Sequence, residues 1–144
     1  MSPSEIIIQL DSNSAVFKNL LYGVPEKLIL WKPSDSRWSL LEILCHLYDE
    51  EREDFRPRLA KIIQSDHNWE PIYPQDWVTS REYMKKDFNT VLKEFLIERK
   101  LSVEWLKSLK VNDWDVKVVH PNLGEFSAIQ MLSEWYAHDL LHIR

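Results

Sequence analysis

The chain has 144 residues, enough for one domain whose core buries roughly 68–70% of the unfolded surface, and its 44% hydrophobic and 28% charged residues are an ordinary globular composition. Twenty-three acids against 18 bases leave a net charge of −5, with the bases scattered rather than clustered, which argues against a nucleic-acid partner. No apolar run approaches the ~18–20 residues of a membrane span, the first fourteen residues lack the basic and small-residue marks of a signal peptide, and the lone Cys45 rules out an intrachain disulfide, so the expected compartment is the cytoplasm. Seven tryptophans against two glycines suit long helices around a bulky aromatic core better than tightly turned sheets.

The first predicted helix opens at Ser2, with Pro3 at its first position and Glu5 completing a capping box. Ile6, Ile7, Leu10, Phe17, Leu20 and Leu21 form one apolar face, and Gly23 and Pro25 end it. A linker, VPEKLILWKPSDSR, follows. The second helix starts at Ser39 with Glu42 as its capping-box partner and Trp38 stapled on Ile43; its stripe runs through Leu40, Leu44, Leu47 and Phe55, and Pro57 is expected to kink or interrupt it. SDHNWEPIYPQDWVTS reads as a loop. A third helix begins between Thr79 and Phe88 and carries Val91, Leu92, Phe95, Leu101, Trp105, Leu106 and Leu109 inward. In the connector KVNDWDVKVVHPNLGE, DVKVV has the pattern of a short strand. The fourth helix is capped by Ser127 with Gln130, and Phe126 and Met131 form its staple. Four amphipathic helices in one chain of this length predict an all-α four-helix bundle with long connectors, a single domain over residues 1–144.

The second and fourth helices start alike: WSLLEIL matches FSAIQML position by position. Counted from each capping serine, His46 is seven residues in, His138 eleven and His142 fifteen. Each step of four turns about 40° beyond a full helical turn, so the three imidazoles lie on neighbouring parts of corresponding faces. If the two helices pack together, His46, His138 and His142 converge. A His-x-x-x-His pair can also be two half-buried polar residues bonded to backbone carbonyls, but imidazole is the commonest side-chain metal ligand, and three ligands leave the open position a catalytic centre uses.

WSLLEILCHLYDEE, the FLIERKLSVEWLKSL helix and the terminal GEFSAIQMLSEWYAHDLLHIR together resemble the DinB-like superfamily of metalloenzymes. The resemblance implies a four-helix bundle in an up-down-down-up-like arrangement. It also implies a divalent metal, most often zinc or nickel, on three histidines, here His46, His138 and His142. Relatives include thiol-dependent enzymes, among them mycothiol-dependent maleylpyruvate isomerases and bacillithiol or mycothiol S-transferases. The expected function is therefore a metal-dependent enzyme acting on a small molecule with a low-molecular-weight thiol or water. The alternative is a non-catalytic metal- or ligand-binding bundle dimer. Family members commonly continue beyond the last histidine, whereas this sequence ends at Arg144.

Glu50, one turn after His46, is the candidate catalytic residue, as a general base or as the group that orients a ligand. Its rival reading is a solvated member of the acidic run DEERED. Asp139, pointing ~100° away from His138, is expected on the surface. Cys45 is expected to be a small buried hydrophobe, and Arg99 to pair with an acid across the bundle. His67 and His120 lie in connectors, the latter within possible reach of the pocket mouth. Trp31, Tyr48, Trp77 and Trp135 are either core aromatics or pocket walls. Small aromatic-rich bundles often cover a leftover apolar face by two-fold pairing, so sedimentation at micromolar concentration is expected to give a homodimer; a clean monomer would remove that expectation.

Overall fold

Three of the long helices begin where a serine and a Glu or Gln three residues later satisfy each other's backbone. In the computed structural model, which describes residues 1–144, α1 (Pro3–Leu21) is capped by the Ser2–Glu5 box, α3 (Leu40–Glu50) by Ser39–Glu42 and α7 (Ala128–Ile143) by Ser127–Gln130. The fourth, α6 (Phe88–Ser108), starts at Asp87, whose carboxylate accepts the Thr90 amide at 2.8 Å. Each cap satisfies a backbone donor that the helix end would otherwise leave bare, an effect of about 1 kcal/mol per cap.

The connectors hold more structure than their sequence suggests. The first linker contains a single helical turn, α2 (Glu26–Ile29), and the stretch read as a loop contains α5 (Pro74–Ser80), with Pro74 in its first turn. The DVKVV strand is present as β1 (Lys117–His120), and it pairs antiparallel with β2 (Gly124–Ser127) in the register Val118↔Phe126. Gly124 has φ +72°, a left-handed backbone that suits glycine and lets the hairpin close. The last residue of β2 is the cap of α7, and the Ala128 amide donates to the Val116 carbonyl at 2.9 Å, so the hairpin fixes where α7 begins.

Pro57 does not break the second helix. Upstream of it, Glu51–Phe55 form a wide π turn, after which α4 (Arg56–Ile63) continues the helix. A proline removes one backbone donor and crowds the preceding turn, and a π turn relieves both by letting in an extra residue. Two residues of the expected apolar faces are on the outside: Leu20 is 54% exposed and Leu101 48% exposed.

α1 packs against α6 and α7, α3 against α6, and α4 against α7, which closes a ring of four long helices with α1 and α3–α4 at opposite corners. The apolar core is in two parts. One holds Leu10, Leu59, Val103, Leu106, Leu132 and Trp135 among others; the second holds Phe17, Leu44, Leu47, Val91 and Phe95. Each long segment contributes a buried polar side chain to one layer: Asn13 on α1, Glu51 at the π turn, Arg99 on α6 and Asp139 on α7. The Arg99 guanidinium donates to Glu51 at 2.9 Å through both Nε and Nη2, and to Asp139 at 2.6 and 2.7 Å through Nη1 and Nη2. Asn13 Nδ2 and the Trp135 indole N–H satisfy the remaining lone pairs, at 2.9 Å to Asp139 and 3.1 Å to Glu51. Arg99 thus pairs with acids across the bundle as the sequence suggested. Asp139 is fully buried rather than on the surface, because Arg99 compensates its charge there.

Removing one member of a buried ion network leaves its partners charged and unpaired, at a cost of about 3–5 kcal/mol. Arg99→Ala is therefore expected to lower the urea midpoint drastically or prevent folding, given a total stability of about 5–15 kcal/mol. Lys107→Ala, which removes a surface pair with Asp11 at 2.8 Å, is expected to shift stability by less than about 1 kcal/mol in the same melts.

Candidate metal centre

His46 lies on α3 and His138 and His142 on α7, one turn apart. The capping serines set the start of both helices, and the Arg99 network sets their rotation. The three rings meet. His46 Nε2 and His138 Nε2 are 3.0 Å apart, and one ligand nitrogen from each ring can be chosen so that all three lie within 4.8 Å of one another. Ring centroids are separated by 5.1 Å (His46–His138), 5.2 Å (His46–His142) and 4.6 Å (His138–His142). Trp38 packs on His46 at 4.9 Å and Phe55 on His138 at 5.0 Å, so aromatic rings wall the cluster on two sides.

Burial holds these imidazoles neutral. It lowers the His46 pKa to about 4 and the His138 pKa to about 3, with the neighbouring histidines adding to both shifts, and it lowers that of His142 as well. A neutral ring is the form that binds a cation, so near neutral pH the cluster offers lone pairs without first losing protons. Four buried side-chain atoms have no hydrogen-bond partner, and two of them, His46 Nδ1 and Glu50 Oε1, face each other at 3.9 Å. That arrangement fits a ligand whose Nε2 binds a metal while its Nδ1–H turns toward a carboxylate. Burial and the adjacent Asp54 raise the Glu50 pKa. The donor set, three neutral nitrogens, suits zinc or nickel and suits magnesium or calcium poorly.

Residues 9–144 match the sequence pattern of the DinB superfamily. The chain belongs to the DinB superfamily. No curated protein sequence matches it. Among solved structures, YfiT from Bacillus subtilis, described as a probable metal-dependent hydrolase with an unusual four-helix bundle topology, is similar to this DinB chain with a TM-score of 0.86. The two share 16% identity, and the match covers 99% of this chain and 84% of YfiT. The bundle expected from the sequence is thereby established as the DinB fold.

The other candidate residues of this DinB protein lie apart from the histidines. Cys45 is buried on a different side of α3, in a cleft of about 330 Å³ with Tyr48, Asp49 and Tyr83, and burial pushes its thiol up to about 12. His67 Nδ1 accepts the Val119 amide at 3.2 Å. His120 Nδ1 accepts the amides of Asn122 and Leu123, and the ring lines a cleft of about 380 Å³ that also includes Phe55. Trp135 is core, stacked on Phe55 at 5.5 Å; Trp77 lies under the Arg81 guanidinium; Trp31 is exposed. The aromatic rings that do touch the cluster are Trp38, which the sequence marked only as a staple, and Phe55, marked only as part of the apolar stripe. No helix is long and apolar enough to cross a membrane.

The lowered imidazole pKa values have a definite sign. Below pH 6.5 the unfolded chain takes up protons that folded His46 and His138 refuse until about 4 and about 3, so the metal-free protein loses stability as pH falls through that window. The raised Glu50 pKa works in the opposite direction, favouring the folded state as pH falls from neutral. Comparison of urea melts at pH 7 and pH 5 with chelator present, in the parent and in His138→Asn, isolates the imidazoles; the variant is expected to lose less stability over that interval.

Proposed function

We propose that this DinB-superfamily chain is a metal-dependent enzyme in which His46, His138 and His142 hold a divalent cation, zinc or nickel, and a low-molecular-weight thiol of the bacillithiol or mycothiol kind attacks a small electrophilic substrate. The observation that carries the reading is the convergence of three neutral ring nitrogens within 4.8 Å. The chemistry such a cation supplies when bound is Lewis acidity, which lowers the pKa of a thiol or of water toward neutral.

The chain's own residues do the rest. Burial keeps the three rings deprotonated at the ligating nitrogens. Glu50 faces His46 Nδ1 at 3.9 Å, on the side of the ring away from its Nε2; in this reading its role is to orient a ligand rather than to act as the base. Trp38 and Phe55 keep bulk water off two sides. A cleft of about 400 Å³ at His142 admits a small molecule. A second reading, with water as the nucleophile, is favoured by the description of YfiT as a probable metal-dependent hydrolase.

Elemental analysis after dialysis against zinc or nickel is expected to give about one ion per chain. His138→Ala is expected to lose it while keeping its helical circular dichroism, because packing and the Arg99 network hold the bundle together. A variant that retains full occupancy would overturn the reading. Assays of the loaded protein with thiols and an electrophile panel, beside ester and amide substrates, separate thiol transfer from hydrolysis.

A further inference from the structure

The chain is acidic, and five of its seven arginines are neutralised. Arg52 and Arg81 pair with Asp49 and Glu53, Arg56 with Glu98, Arg58 with Asp54, and Arg99 with Glu51 and Asp139. Two have no carboxylate partner: Arg144, which follows α7, and Arg37. Arg37 lies one residue before Trp38 on the loop leading into α3, and it lines the cleft of about 400 Å³ that His142 also lines. Asp35, two residues away in sequence, makes no ion pair with it. Lys32, the other cation of that loop, is already bound to Glu42 at 2.7 Å, a contact that ties the loop to the first turn of α3. The Arg37 amide donates to the Ser34 carbonyl at 3.0 Å, closing a turn that holds the residue at the cleft.

The rest of the lining is complementary to an anion. Ser36 and Gln75 add neutral donors, Trp38 adds an aromatic surface, and no acidic residue lines the cleft. A guanidinium facing a space free of carboxylates is matched by a planar oxyanion, which it binds through two parallel N–H bonds. The indole beside it is matched by a flat apolar body. Trp38 also packs on His46, so a molecule resting there is held next to the histidine cluster.

We infer that the cleft beside His142 selects small molecules bearing a carboxylate on a flat apolar body, with Arg37 as the residue that recognises the carboxylate. As a statement about substrate this rests on the metal-dependent reading above; as a statement about binding it stands on Arg37 alone, and the test separates the two. Benzoate and the neutral benzamide serve as probes, titrated calorimetrically into zinc-loaded and into chelator-treated protein. Benzoate is expected to bind in both states, and more tightly than benzamide. Arg37→Gln is expected to weaken benzoate about 10-fold in both states, and Arg37→Lys to recover only part of the loss because an ammonium lacks the planar fork. Neither change should alter benzamide binding, zinc stoichiometry or helical content, since Arg37 is exposed and is not one of the histidine ligands. Equal binding of benzoate by the parent and Arg37→Gln, no benzoate binding at all, or benzamide binding as tightly as benzoate would each overturn the inference. Loss of zinc uptake with the Arg37 dependence intact would instead count against the metal-dependent reading.

Discussion

A guanidinium sealed between two carboxylates governs how four helices can meet. Arg99, Glu51 and Asp139 are almost entirely shielded from water, and each comes from a different long segment, with Asn13 supplying the fourth. Such a network adds little net stability over well-packed apolar groups, but any arrangement that separates its members leaves a bare charge in the interior. It therefore acts on register. A helix that slid or rotated by one residue would withdraw its member from the layer and pull polar atoms into one of the two apolar clusters that flank it.

The candidate centre inherits that register. Asp139 adjoins His138, and Glu51 follows Glu50, the carboxyl group that faces His46. Fixing Asp139 and Glu51 on the same guanidinium fixes the rotation of α7 and of α3–α4 together, and so the angle at which His138 and His46 approach each other. The neighbouring cation also helps keep His138 neutral, after burial and the other two histidines. Structural and chemical roles are divided between adjacent residues on the same helices: one turns toward the ion layer, the next toward the histidine cluster.

Much of this was legible from local signals. The serine capping boxes announced three helices to the residue, because a cap depends only on neighbours three positions apart. The spacing of His46, His138 and His142 on two helices with matching starts put them on corresponding faces, and their convergence was expected only if those two helices packed together. What stayed hidden depends on contacts distant in sequence. Asp139 reads as a surface acid until Arg99, 40 residues away, is placed opposite it. Trp38 reads as a staple until it is seen packed on His46 and lining the same cleft as His142. α2 is a single turn whose cap, Pro25, makes no side-chain bond, and α5 lies in an aromatic, proline-rich stretch, so neither carries the periodicity that reveals longer helices. β2 was obscured because its final residue is also the cap that signals α7.

The wide turn at Glu51–Phe55 is the point where the helix takes up a change in chain length. A π turn holds one residue more than an α turn. The turn absorbs that residue locally, so the helix after it keeps its phase; a residue gained or lost in the regular turn before it, between His46 and Glu50, would instead turn everything downstream by about 100°. Phe55, Leu59 and Ile62 would leave the core together, and Glu51 would part from Arg99 or His46 from His138. The regular turn that carries His46 should therefore be far less tolerant of a gain or loss of one residue than the wide turn that follows it.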